Sequence, residues 1–322
     1  MSLQNFINSP FNIASLTIPN RLIQGPLAGF SCAPFRQMYD LFIAPAYCVT
    51  EMSSAIDVVY KHTIASRYLY RSPLEKLLVY QISGHDGLIM AKAAALLQTL
   101  GADMIDINCG CPKTKIRKKG AGSALLETPQ RLVQIVKLVK ENISIPLTVK
   151  IRIQGNENDC ILARLLEDAG ADALIVHGRR WVDAYDFPCD LDQIAKIKQC
   201  IKIPVIANGD IADLKSLYHA IQKTGCDAFM ISRAGTGRPW LYQELLKNIP
   251  VDLDFAQKIE LFMQHLSGLS ALEDAYKAVL QSKSLVRYYF KKDFNEARLK
   301  DFYALNCLKS IHSFLEAMNN TF

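Results

Sequence analysis

Three times the chain runs a helical stretch into Gly, a small residue and Asp, and then into a short apolar-rich segment. Leu96–Leu100 passes through Gly101-Ala102-Asp103 into Met104–Ile107. Leu165–Ala169 passes through Gly170-Ala171-Asp172 into Ala173–Val176, and Ile221–Thr224 through Gly225-Cys226-Asp227 into Ala228–Ile231. A glycine at that point fits the left-handed conformation that ends a helix. The segment after it has the length of a strand buried on both faces. A second phrase, Ile-Pro before an apolar run, stands at 145–146 and 203–204, and proline suits the first residue of a strand. Helix, tight turn and buried strand therefore alternate, which is the punctuation of a parallel α/β chain.

Extending the pattern gives eight strands, near 22–25, 46–50, 77–82, 104–108, 147–151, 173–177, 204–208 and 228–232. Helical patterns separate most of them. Thr128 can cap one such helix with Pro129 at its first position, and Leu132, Ile135, Val136, Val139 and Ile143 then form one stripe. Eight strand–helix units predict a (β/α)₈ TIM barrel. A doubly wound sheet would carry Gly-x-Gly-x-x-Gly after its first strand. Gly120-Ala121-Gly122 lacks the third glycine and follows a basic loop instead. Past Pro250 there is no further proline and Gly268 is the last glycine, while Phe255, Ile259, Phe262, Leu266 and Leu269 recur at helical spacing. The expected organisation is a barrel over residues 1–249 and a small all-helical C-terminal domain over 250–322.

No apolar run approaches the roughly 18 residues of a membrane span. The first residues lack the basic start and apolar stretch of a signal peptide, so the expected location is the cytoplasm. The nine cysteines are irregularly spaced and read as reduced, mostly buried thiols. No second Cys or His pair matches Cys109 and Cys111, so no metal is expected. The net charge of +6 lies wholly before residue 250, because 250–322 holds nine basic and nine acidic residues. Its densest part is Lys113–Lys119, with five basic residues in seven. Such a run can be a plain solvated loop or a contact for a polyanion.

Barrel enzymes carry their chemistry at the C-terminal ends of the strands. Seven of the eight expected strands run into polar groups there: Glu51, Gln81, Asn108 with Cys111, Lys150 with Arg152, His177 with Arg179, Asn208 with Asp210, and Ser232 with Arg233. The first runs instead into Pro26-Leu27-Ala28-Gly29. Buried polar groups cost roughly 1–3 kcal/mol each when unpaired, so packing does not account for the set. Asn208-Gly209-Asp210 and Ser232-Arg233 occupy the usual phosphate position of such barrels, and Arg233 can grip an anion. Gln81 can both donate and accept, as a flavin's pyrimidine edge requires. Lys150 can place a positive charge beside a reduced flavin. Singly, each has a structural alternative: Gln81 can cap a turn, Lys150 or Arg152 can pair with a carboxylate, and a lone His177 can be a satisfied core group.

Asn108-Cys109-Gly110-Cys111-Pro112-Lys113-Thr114-Lys115, continuing to Gly120-Ala121-Gly122-Ser123-Ala124-Leu125-Leu126, resembles the Asn-x-Gly-Cys-Pro, basic loop and Gly-x-Gly-x-x-Leu-Leu pattern of the tRNA-dihydrouridine synthases. Pro26–Gly29, Gln81-Ile82, Lys150-Ile151-Arg152, His177-Gly178-Arg179, Asn208-Gly209-Asp210 and Arg238-Pro239-Trp240 agree in order, over about residues 20–245. The overall look is nearest the bacterial B-type branch. The resemblance implies FMN contacts at Pro26, Leu27, Ala28, Gln81, Lys150, Asn208, Gly209, Asp210, Ser232 and Arg233. It implies Cys111 as the catalytic acid, and a C-terminal helical domain that helps hold tRNA. Asn108, Lys113, Lys115, Arg152, His177 and Arg179 are the expected substrate contacts. Leu27 stands where Met is commoner, Ser232 where Gly usually precedes the Arg, and Arg180-Trp181 and Phe187 depart from the pattern on the substrate side.

The implied reaction has NADPH reduce FMN, hydride pass to C6 of a uracil, and Cys111 give a proton to C5. A thiol protonated near neutrality can act as such an acid. The target base must leave its stack to be reached. The chain is expected to act as a monomer. Two other readings stay open on sequence alone: an FMN barrel acting on a free pyrimidine, as dihydroorotate dehydrogenases do, and a non-catalytic RNA-binding barrel.

Overall fold

The computed structural model describes residues 2–184 and 186–319. Eight parallel strands close into a barrel: β1 (Leu22–Gln24), β2 (Cys48–Val49), β3 (Leu78–Ser83), β4 (Met104–Cys109), β5 (Leu147–Arg152), β6 (Ala173–His177), β7 (Val205–Asn208) and β8 (Ala228–Ile231). Each pairs with the next in chain order, and β8 returns to β1 with Phe229 opposite Leu22. Closure leaves no barrel edge unpaired. The eight strands expected from the sequence are all present, although 46–50 narrows to the two residues of β2. Gly101, Gly170 and Gly225 have φ of +89°, +98° and +59°, as the repeated phrase requires.

β3, β4 and β5 are buried at every position. Their alternate residues serve two cores. Ile105, Ile107 and Cys109 face the layer between sheet and helices. Val79, Met104, Ala173, Ile175, Ile206, Ala228 and Met230 fill the barrel floor together with Ile13 and Ile18. Those two isoleucines come from the hairpin Phe11–Ile13/Leu16–Ile18, which sequence periodicity did not reveal. The barrel is thus apolar at its N-terminal end, and its polar interior residues collect at the other.

The helix Pro129–Glu141 starts at Pro129 and buries Leu132, Ile135, Val136 and Val139, but the Thr128 side chain makes no capping bond. The expectation of nine reduced thiols needs correction. The helices Asn158–Asp168 and Leu191–Cys200 bring Cys160 and Cys200 to a Cα–Cα distance of 5.8 Å, and the two form a disulfide. That spacing lies within the disulfide range. It arises from neighbouring barrel helices, and a separation of 40 residues gave no hint of it.

Among the described residues four helices follow residue 250: Phe255–Leu272, Ala275–Tyr289, Glu296–Ala304 and Leu308–Asn319. The expected stripe Phe255, Ile259, Phe262, Leu266 and Leu269 lies in their shared core, with Phe290, Phe302, Ile311 and Leu315. Arg67 ties this core to the barrel. Its guanidinium contacts Glu51, just past β2, at 2.7 Å and Glu273 at 2.5 Å. Among the described residues no helix is long and apolar enough to cross a membrane, and no His/Cys/Asp/Glu group could hold a metal ion.

Candidate active site

The polar end of the barrel opens into a cavity of about 620 Å³. Every site residue expected from the sequence lines it except Lys115, which lies exposed on the short helix Thr114–Arg117. The volume falls within the roughly 300–1,000 Å³ usual for small-molecule sites.

One hydrogen-bonded chain crosses the barrel wall from β3 to the loop after β4. Gln81 Nε2 donates to Asp106 at 2.7 Å, and Asn108 Nδ2 donates to Gln81 Oε1 at 2.8 Å. Asn108 Oδ1 accepts from the backbone N–H of Gly110 at 3.2 Å and of Cys111 at 3.0 Å. The backbone N–H groups can only donate, so the orientation of both amides follows. Gln81 keeps one N–H and one lone pair for a ligand. Asp106 also accepts from Thr148 at 2.7 Å. Burial pushes its carboxyl up, while the hydrogen bonds and the charge of Lys150 pull it back. Sequence reading missed Asp106. The signal was available, as a carboxylate in the middle of a strand expected to be buried.

Lys150, at 9 % exposure, donates to Asn208 Oδ1 at 2.8 Å, and Asn208 Nδ2 donates to the Met230 carbonyl at 2.9 Å. Burial lowers the Lys150 ammonium from its ordinary range, against the pull of Asp106. Behind the Ser232–Arg233 turn, buried Gln24 accepts from Tyr39 at 2.7 Å and Tyr242 at 3.0 Å. This brace, also missed, spans three segments far apart in the chain.

Cys109 and Cys111 face opposite ways. Cys109 is fully buried in the sheet–helix core, whereas Cys111 lines the cavity. The Cys111 carbonyl accepts from the Ser123 N–H at 3.1 Å and hydroxyl at 3.0 Å. Gly122, at φ +61°, permits that approach, since a Cβ there would lie 2.8 Å from the same carbonyl. Arg152 donates to the carbonyls of Gly110 at 2.8 Å and Arg180 at 2.9 Å, joining the Cys111 loop to the loop after β6.

That second loop holds Arg180, Trp181 and Phe187, the departures on the substrate side from the pattern the sequence resembles. Trp181 lies under the Arg117 guanidinium at 3.6 Å, while Arg117 also pairs with Glu127 at 2.7 Å and donates to Ser123 at 3.1 Å. Arg180 pairs with Asp183 at 2.8 Å. Arg179 donates to the Phe187 carbonyl, pairs with Asp210 at 2.6 Å and reaches His177 Nε2 at 3.2 Å. An arginine cannot accept, so Nε2 is the acceptor and the neutral His177 carries its proton on Nδ1. Burial, then the charges of Lys150, Arg152, Arg179 and Arg233, hold His177 down to about 2. Phe30, Met52 and Tyr288 also line the cavity. Tyr288 comes from the C-terminal helices and had no sequence signal.

The architecture is shared with barrels of remote sequence. A morphinone reductase in complex with tetrahydroNAD superposes with a TM-score of 0.52 at 14% identity, covering 76% of this chain and 92% of that one. An old yellow enzyme homologue from Zymomonas mobilis gives 0.54 at 15%, covering 77% and 94%. These likenesses concern the fold. Sequence relatives are much nearer. The tRNA-dihydrouridine synthase B of Pseudomonas aeruginosa is 36% identical over 332 aligned positions, covering 97% of this chain and 98% of that protein. That of Vibrio vulnificus is 35% identical over 289, covering 87% and 89%. The family profile described as dihydrouridine synthase matches residues 23–312. The chain belongs to the dihydrouridine synthase family of oxidoreductases.

Proposed function

We propose that the protein is an FMN-dependent, NADPH-driven tRNA-dihydrouridine synthase, with residues 1–249 as its catalytic domain and 250–322 as a helical domain that holds tRNA. The observation that carries this reading is the placement of Cys111 on the same cavity wall as Gln81, Asn108 and Lys150, with Cys109 turned away into the core. The donor set fits FMN. Arg233 and the backbone of Gly209–Asp210 and Ser232 suit its phosphate, Pro26, Leu27 and Ala28 give an apolar wall, and the spare groups of Gln81 suit the pyrimidine edge. The chemistry a bound flavin supplies is hydride transfer to C6 of the uracil.

The chain's own residues do the rest. Asn108, through the Cys111 N–H, holds the thiol where it can give a proton to C5. Lys150 offers positive charge from a buried position, where it acts more strongly than in water. Arg152 and Arg179 act chiefly on the protein itself, fixing the two loops around the substrate. Lys113, at the cavity rim, and Lys115, Lys118 and Lys119, exposed beyond it, face an incoming polyanion.

Denatured protein is expected to release FMN, and Arg233→Ala to hold it about 10- to 150-fold more weakly, the value of a charge-assisted contact of about 1.5–3 kcal/mol. A dialysis titration showing equal retention would misplace the phosphate site. Substituting Lys115, Lys118 and Lys119 together by Ala is expected to lower the log–log salt slope of tRNA binding by roughly 0.7–0.9 for each phosphate left without its cation. Arg117 is left intact because it braces the loop through Ser123, Glu127 and Trp181. An unchanged slope would make the run a plain solvated loop.

A further inference from the structure

The segment after residue 250 is neutral in total, but its charges are sorted. From Ala275 to Lys292 there are five basic residues and no acidic one. Lys277 is held by Glu273 at 3.2 Å. Lys283 and Arg287 instead stand one helical turn apart on the wall of an open groove of about 480 Å³, lined also by Phe30, Ser284, Tyr288 and Tyr303. Arg287 lies 5.4 Å over the Tyr303 ring and donates to its hydroxyl. Tyr288 is 37% exposed, so part of its ring is open to a ligand.

The groove adjoins the active-site cavity. Phe30, from the loop after β1, meets Tyr288 edge to face at 5.7 Å, and both residues line the groove and the cavity alike. A strand of nucleic acid with one base in the cavity can pass over this aromatic pair into a space lined by aromatic rings and two cations. Drawing the target base out of its stack leaves its neighbour without a stacking partner. Aromatic faces beside a cationic track recover that loss irrespective of sequence.

We propose that this groove holds the nucleotide next to the reduced uridine, with its base stacked on Tyr288 and its phosphate facing Lys283 and Arg287. The inference rests on the reading of the substrate as tRNA. It assigns the helix Ala275–Tyr289 a defined task, that of fixing which uridine enters by seating the residue beside it.

The test uses full-length protein carrying its flavin and an unmodified tRNA whose reduced position has been mapped by mass spectrometry. Transcripts carrying 2-aminopurine on either side of that uridine report stacking by fluorescence quenching. Parent protein is expected to quench one of the two probes. Tyr288→Phe, which keeps the ring, is expected to retain the quench. Tyr288→Leu is expected to lose it and to bind the transcript about 5- to 150-fold more weakly. A Lys283→Ala/Arg287→Ala double variant is expected to bind with a shallower salt slope. If parent protein reduces tRNA yet quenches neither probe, or if Tyr288→Leu quenches and binds as the parent does, the proposed function stands and this subsite is overturned. A parent that binds no tRNA overturns both.

Discussion

Pre-reduced Cys111→Ala, mixed anaerobically with unmodified tRNA, is expected to reoxidise its flavin about 10²–10⁴ times more slowly than the parent, the usual contribution of a placed general acid. The variant is expected to keep its flavin, because the thiol is one small part of a large cavity wall. Cys109→Ala is the internal control. Cys109 lies two residues away, but its side chain packs between sheet and helices with Ile105 and Ile107, so its removal creates a small core void and leaves the cavity lining intact. Stopped-flow flavin absorbance measures the step directly. His177 is another titratable group in the cavity that could be taken for the acid. Its Nε2 accepts from Arg179, and burial among four cations keeps the ring neutral. A neutral imidazole is a poor proton donor, so His177 is no good substitute for Cys111. Equal slowing in both variants would indicate a structural role for the whole loop. Unchanged reoxidation in Cys111→Ala would end the assignment of the acid.

The barrel was legible because its signals are local and repeated. A left-handed glycine followed by a doubly buried strand says the same thing wherever it occurs, and Gly101, Gly170 and Gly225 all obey it. The candidate site was legible for a related reason: closing the barrel brings the strand ends together, so most of the polar residues at those ends line one cavity whatever their distance in sequence. What stayed hidden depends on side-chain direction or on contacts between distant segments. Arg179 and Asp210 both line the cavity, yet they spend charge on one another, and nothing in His-Gly-Arg or Asn-Gly-Asp announces that pairing. Glu51, one of the polar strand ends, holds the Gly29 N–H at 2.7 Å and Arg67 at 2.7 Å, making it a brace between barrel and helices. The disulfide of Cys160 and Cys200 follows from two helices lying side by side, and Tyr288 reaches the cavity only because the C-terminal helices dock beside Phe30. The departures at Trp181 and Phe187 also gain a physical account. The first stacks on Arg117 of the basic loop, and the second offers its carbonyl to Arg179, so the unusual residues fasten the loop after β6 to its neighbours.

Lys150→Met is expected to slow the reduction of the bound cofactor by NADPH by roughly 10²–10³, the cost of removing one preorganised charge from a buried site. The structure sharpens this into a pH experiment. Lys150 is 9 % exposed, and burial lowers its ammonium from the ordinary lysine value of about 10.4. The protonated form carries the useful charge, so raising the pH removes it. Parent activity is therefore expected to fall on the alkaline side with a limb below the normal lysine range, and that limb is expected to vanish in Lys150→Met. Asp106 works in the same direction. Its carboxylate favours the charged lysine, and it also fixes the amide of Gln81 at 2.7 Å. Asp106→Asn withdraws the negative charge from beside Lys150, so the alkaline limb is expected to move to still lower pH. A limb that survives Lys150→Met unchanged would belong to another group and would remove Lys150 from the chemistry. A limb abolished in Lys150→Met but unmoved in Asp106→Asn would keep the lysine and dissolve its coupling to the carboxylate.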